Sequence, residues 1–137
     1  MYSIKDIARL CGLSAYTIRF YDKEGLLPFI TRNGTGNRQF SESDLDMIRL
    51  ICCLKNTGMQ LKEIKRYIDL FMEGDHTVPC RKQMMIDHRD SILRQISELQ
   101  KQLGVIETKI AFYEAEKTAA SCCSCLMTET SKQESML

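Results

Sequence analysis

No stretch of this chain approaches the roughly 20 consecutive apolar residues needed to cross a bilayer, which excludes a helical membrane span. Nor does the N-terminus carry a signal-peptide pattern, because Lys5, Asp6 and Arg9 interrupt the apolar residues of its opening stretch. A cytoplasmic protein with no membrane partner is expected. Tryptophan is absent, and proline occurs only at Pro28 and Pro79. From about residue 80 to residue 117, therefore, only Gly104 interrupts a helical pattern. Histidine is scarce too, and neither His76 nor His88 stands in a nucleophilic or acid–base arrangement. A chain of 137 residues has little room for a large active-site cleft or an appended ligand-binding domain, so an enzyme is not expected.

The net charge of +1 conceals an asymmetry. Residues 1–66 hold 11 Lys/Arg against 7 Asp/Glu, whereas residues 67–137 hold 8 against 11. A basic N-terminal part on an otherwise acidic chain fits an anionic partner such as nucleic acid. Seven cysteines are many for a cytosolic setting, which disfavours structural disulfides. Cys11 and Cys52 fall inside helical patterns and read as small core residues. Cys53, Cys80 and the Cys122, Cys123, Cys125 cluster need separate arguments.

Ser3 with Asp6 three residues on forms a capping box for a first helix, which Gly12 ends. Ser14 caps a second helix from Ala15 to Glu24, with Ile18 and Tyr21 on its inner stripe. Two short helices joined by a glycine-containing turn make a helix-turn-helix. Next, two short apolar or β-prone runs flank the Asn/Gly-rich loop from Asn33 to Asn37, the pattern of a hairpin with Arg32 and Arg38 at its base. A hairpin in that position is a wing. Ser41 and Asp44 open a third helix that runs to Asn56, and Leu61 to Met72 form a fourth, poorly capped by Gln60. Residues 73–79 read as a linker.

Beyond it a helix of roughly 55 Å is expected at about 1.5 Å per residue. Ile92, Ile96, Leu99, Leu103, Ile106, Ile110 and Tyr113 repeat at alternating spacings of 4 and 3, which is a coiled-coil seam. The preceding helices are too short to cover that seam, so homodimerisation is the economical solution; a helix folded back on its own domain is the alternative. Residues 118–137 are rich in Ser, Thr, Lys and Glu and read as a loose tail. The expected fold class is all-α with a small β-hairpin wing. Residues 1–75 are expected to form a winged helix-turn-helix domain, 76–117 a coiled-coil dimerisation helix, and 118–137 a cysteine-containing tail.

Three segments carry a specific resemblance: Ile4 to Ala8, the run Thr17-Ile18-Arg19-Phe20-Tyr21-Asp22-Lys23-Glu24-Gly25-Leu26-Leu27-Pro28, and Asn37-Arg38-Gln39-Phe40. Together with Leu54 to Met59 and Leu61 to Ile64 they resemble the MerR family of bacterial transcriptional regulators. The match is tight over roughly residues 1–75. Where that family's wing often ends Arg-Tyr-Tyr, this chain has Arg38-Gln39-Phe40, which removes aromatic and hydroxyl groups at one backbone contact. The resemblance implies that residues 1–75 bind DNA and that the coiled coil of residues 76–117 is antiparallel. It implies a homodimer on double-stranded promoter DNA that acts on RNA polymerase indirectly, by bending and untwisting the promoter when an effector binds. It also implies that Ser14, Ala15, Tyr16, Thr17 and Arg19 begin a recognition helix. Arg19 and Tyr21 resemble the family's backbone-contacting pair, and Arg38 and Lys62 its phosphate contacts.

Two effector classes remain open. The Cys52-Cys53-Leu54-Lys55-Asn56-Thr57-Gly58 stretch resembles the subgroup that answers aldehydes and other electrophiles, with Cys53 as the reactive thiol. The competing reading of Cys53 is buried packing. No cofactor is certain, but a thiophilic metal ion is the alternative effector. If the seam pairs antiparallel about residues 102–103, Cys80 of one subunit falls near Cys125 of the other, and Cys80 could meet Cys122, Cys123 and Cys125 in trans. A more remote reading is an adaptor that binds no DNA.

Overall fold

In the computed structural model, which describes residues 1–116, the chain forms α1 (Ile4–Cys11), α2 (Ala15–Lys23), a hairpin of β1 (Thr31–Arg32) and β2 (Arg38–Gln39), α3 (Glu42–Asn56), α4 (Leu61–Glu73), a 3-10 turn (Asp75–Thr77) and α5 (Val78–Glu116). The helix starts follow the local chemistry. Ser3 Oγ accepts from the Asp6 N–H while the Asp6 carboxylate accepts from the Ser3 N–H, and these bonds hold the Asp6 carboxyl below the usual carboxylate range. Ser41 and Asp44 repeat the same reciprocal cap on α3. Gln60 makes no side-chain cap on α4. Gly25 ends α2 at φ +81, and a Cβ there would meet Lys65 Cε at 3.1 Å. The left-handed backbone conformation favours glycine there, and an added side chain would also push the lysine stem aside.

The core joins every element of the N-terminal unit. Ile7 of α1, Ile18 of α2, Leu26 and Leu27 after it, Phe40, Ile48 and Ile51 of α3, and Ile64 and Ile68 of α4 are all essentially solvent-free. Phe40 is the pivot of the hairpin. Its N–H donates to the Tyr2 carbonyl at 2.9 Å and its carbonyl accepts from the Tyr2 N–H at 2.7 Å, so the residue just past the wing is paired to the one just before α1. The Phe40 ring, at the end of the Arg38-Gln39-Phe40 run, faces the interior.

The chain divides into two compact units, Met1–Ile92 and a second that begins at Leu93. The first unit runs past the boundary expected near residue 75, for packing reasons. Met84 of α5 is buried with the core and Met85 packs against it, while His88 Nε2 lies 2.7 Å from Thr57 Oγ1. The expected linker is also more ordered than anticipated. Thr77 is buried, with Oγ1 at 2.7 Å from the carbonyls of both Leu70 and Gly74, and it accepts from Arg81 Nε at 2.9 Å. Pro79 sits in the first turn of α5, where its missing N–H costs nothing. In the second unit α5 continues through Gly104, with Leu93, Ile96, Leu99, Leu103, Ile106 and Ile110 exposed.

Phe40→Ala is expected to destabilise the chain by about 3–5 kcal/mol, the range for emptying a sealed aromatic site. Urea denaturation followed by circular dichroism checks this; a loss under about 1 kcal/mol would show that the site collapses without cost.

Candidate nucleic-acid interface

α2 presents two different faces. Ile18 and Tyr21 point inward and are buried, whereas Tyr16, Arg19, Phe20 and Lys23 are exposed, Tyr16 by 77%. The helix start is fixed by Ser14, whose Oγ accepts from the Thr17 N–H at 3.0 Å and lies 2.9 Å from Thr17 Oγ1. Ser14 is thus the cap of α2 as well as part of its leading edge, and Ala15 and Thr17 are half-buried beside it. Tyr21, expected as a backbone contact, has its ring on the inner stripe of α2. Its ring is part of the core at 6% exposure, and burial, with a contribution from nearby Cys52, raises its phenol above the ordinary range.

The hairpin lies beside the start of α1 and the outer edge of α2. Ser3, Lys5, Arg19, Arg32, Asn37 and Arg38 line a cleft of about 300 Å³ between these elements. Four cationic side chains from four separate elements converge there. Arg38 is half-buried; its Nε donates to Asp22 Oδ2 at 2.7 Å. Arg32 Nη2 lies 3.6 Å from the same oxygen, and its Nη1 donates to the Gly36 carbonyl at 2.8 Å. The wing loop is closed by Asn33, whose Oδ1 accepts from the N–H groups of Thr35 and Asn37, each at 3.0 Å. Arg19 makes no ion pair among the described residues. Lys5 and Asn37 escaped the sequence reading, because only the Tyr2–Phe40 pairing brings the start of α1 to the wing. Lys62 stands exposed in the first turn of α4, in a separate shallow cleft with Glu24, Leu26, Leu61 and Lys65.

The thiols fall into two environments. Cys11, the last residue of α1, and Cys52 of α3 are half-buried, and burial pushes both thiols above their ordinary range, with Cys11 and Cys53 adding to the effect on Cys52. Cys53 of α3 and Cys80 of α5 are exposed. The exposure of Cys53 removes the buried-packing reading for it. Its carbonyl accepts from the Thr57 N–H at 3.0 Å and from Thr57 Oγ1 at 2.7 Å. Because that hydroxyl also meets His88, the last turn bearing Cys53 is tied to α5. Among the described residues no group of three or more His, Cys, Asp and Glu side chains is placed to hold a metal ion. Cys122, Cys123 and Cys125 lie outside the described residues. No helix among the described residues is long and apolar enough to cross a membrane.

Residues 2–70 match the MerR HTH family regulatory protein family, and residues 45–109 match the MerR DNA-binding family. An uncharacterized HTH-type transcriptional regulator of Haemophilus influenzae is 44% identical over 88% of this chain and 89% of that protein. A probable heavy metal-dependent transcriptional regulator from the same organism is 33% identical over 77% of this chain and 82% of its own length. Among solved structures, HiNmlR, a MerR family regulator lacking the sensor domain and bound to promoter DNA, superposes with a TM-score of 0.80 at 44% identity, covering 88% of this chain and 95% of that one. These relatives are regulators, not enzymes. The chain belongs to the MerR family of helix-turn-helix transcriptional regulators.

Proposed function

We propose that the protein is a cytoplasmic homodimer that binds double-stranded promoter DNA and distorts it in response to a thiol-reactive electrophile such as an aldehyde, acting on RNA polymerase through the promoter. The observation that carries the DNA-binding part is the convergence of Lys5, Arg19, Arg32 and Arg38 on one cleft beside the exposed face of α2. Tyr16 on that face enters the major groove, with Ser14, Ala15 and Thr17 at its leading edge, while Arg19, the wing and Lys62 take backbone phosphates. That the similar HiNmlR was solved bound to promoter DNA supports the DNA-binding part. Residues 1–75 are the DNA-binding domain in this reading, residues 76–117 the dimerisation helix, and residues 118–137 the tail. The Tyr21 ring holds α2 to the core, and its hydroxyl takes a backbone phosphate beside Arg19.

Dimerisation follows from the uncovered seam. The seam residues Ile96, Leu99, Leu103, Ile106 and Ile110 stand exposed in the single chain, and burying each is worth about 1.5–3 kcal/mol. A partner helix of the same sequence supplies the complementary surface in antiparallel register. The effector assignment rests on Cys53, an exposed thiol on the last turns of a helix whose other face is the core. A bulky or charged adduct there acts at a packed joint, which shifts instead of compressing. The second reading, a thiophilic metal held by Cys80 of one subunit with Cys122, Cys123 and Cys125 of the other, is favoured by the likeness to a probable heavy metal-dependent regulator.

Arg19→Ala should weaken binding to a duplex of the protein's own promoter region across sequences. It should also flatten the log–log salt dependence by about 0.9, as for loss of one phosphate contact; an unchanged slope with altered base preference would make Arg19 a base reader. Retention of no duplex at all by the wild-type chain would favour the adaptor reading.

Leu99→Glu combined with Ile106→Glu should convert the dimer to a monomer in light scattering without loss of helicity, since both side chains are exposed in the single chain. A surviving dimer would place the interface elsewhere.

Brief alkylation at neutral pH should label Cys53 and Cys80 before Cys11 and Cys52, whose rates should rise only above the ordinary thiol range because burial disfavours their thiolates. Peptide mapping by mass spectrometry checks the order. In a promoter assay Cys53→Ser should abolish the response to an electrophile. The variant with Ser at 80, 122, 123 and 125 should keep it; a normal electrophile response from Cys53→Ser, with the four-site variant silent to metal, would move the effector to the metal class.

A further inference from the structure

The wing contains an arrangement that ought to be unstable. Arg32 and Arg38 are direct partners across the two strands, and like charges placed opposite one another on a hairpin repel. Each strand is only two residues long, and an isolated hairpin is marginal even without such repulsion. What resolves the conflict comes from outside the hairpin. One oxygen of Asp22, on α2, lies 2.7 Å from Arg38 Nε and 3.6 Å from Arg32 Nη2. The carboxylate and the Arg38 side chain are both about one-fifth exposed, so the pair is screened far less than a surface bridge.

The way Arg38 is held matters more than that it is held. Asp22 engages the Nε of Arg38. Its two terminal amines carry no hydrogen bond among the described residues. Arg38 lines the cationic cleft, whereas Asp22 is not among the lining residues. The guanidinium is planar and presents donors along separate edges, so a carboxylate gripping one edge orients the other. Asp22 also lies three residues after Arg19 on the same helix, which links the wing's two arginines to the element that carries the remaining cation from α2.

We propose that Asp22 is a positioning residue for the nucleic-acid backbone. It fixes the wing to the recognition helix and holds Arg38 by its Nε edge, so that the terminal amines meet a phosphate oxygen across the cleft. Arg32 is held by the same oxygen. This rests on the DNA-binding reading above and adds a residue that touches no DNA itself. It also carries a sign that simple charge arithmetic does not. Removing a negative charge beside an anion-binding cleft raises the local positive potential, so electrostatics alone predicts that Asp22→Asn binds DNA more tightly. Positioning predicts the reverse.

The test measures binding of the full-length protein to a fluorescent duplex of its own promoter region at several salt concentrations. Asp22→Asn should bind about tenfold more weakly than wild type, the scale of one lost charge-assisted hydrogen bond, with a salt slope shallower by about 0.9. Asp22→Glu, which keeps the charge on a longer arm, should recover part of the affinity. Combining Asp22→Asn with Arg38→Ala should cost clearly less than the sum of the two single variants, because the carboxylate acts mainly through that arginine. Binding by Asp22→Asn as tight as or tighter than wild type overturns the proposal, as does full additivity in the double variant. Should Asp22→Asn lose the native circular dichroism spectrum, Arg38→Lys carries the test: it keeps the charge, loses the oriented edge and should bind weakly, and wild-type affinity there overturns the proposal. A wild-type chain that binds no duplex fails the DNA-binding reading itself, an outcome distinct from wild-type binding with an indifferent Asp22.

Discussion

The pairing of Tyr2 with Phe40 organises the N-terminal unit. Two backbone hydrogen bonds join residues 38 positions apart, and the Phe40 side chain beneath them is wholly buried. The hairpin has too little ladder of its own to hold an orientation, so its direction is set where its exit strand is pinned to the chain's beginning. That pin carries Lys5 to the same cleft as Arg32 and Arg38. The cationic cleft is therefore a tertiary product: four elements contribute to it only because an apolar ring is sealed behind them.

Legibility in the sequence followed the range of the interaction. Caps depend on neighbours three residues away, and the Ser3–Asp6 and Ser41–Asp44 boxes form as the spacing predicts. The helices, the hairpin and the uncapped start of α4 were readable on the same grounds. The inner stripe of α2 was legible, because Ile18 and Tyr21 stand three residues apart and are both buried. Long-range features were not. Asp22 looks like any charged helix residue until the wing folds against it, and Lys5 looks like a solvated lysine until Tyr2 pairs with Phe40. The linker expected before α5 was obscured for a related reason: Thr77 is polar in sequence, yet it satisfies two carbonyls and receives Arg81 in a buried turn.

Adjacent cysteines on α3 illustrate how one helical step separates chemistry. Cys52 faces toward α1 and Cys53 faces solvent, a difference of about 100° around the axis. The first is held as a neutral thiol by burial, and the second is open to reagents. The carbonyl of the exposed one is bound by Thr57, and Thr57 meets His88. A change at that turn is consequently felt first by a hydroxyl and an imidazole on the neighbouring helix, not by the hydrophobic layer beneath.

The brevity of the wing strands has a kinetic meaning. Hydrogen bonds in a ladder of two residues per strand can break without disturbing the sealed layer under Phe40, so their opening free energy lies well below that of the whole unit. Amide protons of Asn33, Gly36 and Asn37 therefore exchange with solvent through local events, while those of Ile48 and Ile51 exchange only when the unit comes apart. The same molecule thus contains a fast clock at the wing and a slow one in α3, and an occupant of the cleft would slow the first while leaving the second to report on the fold.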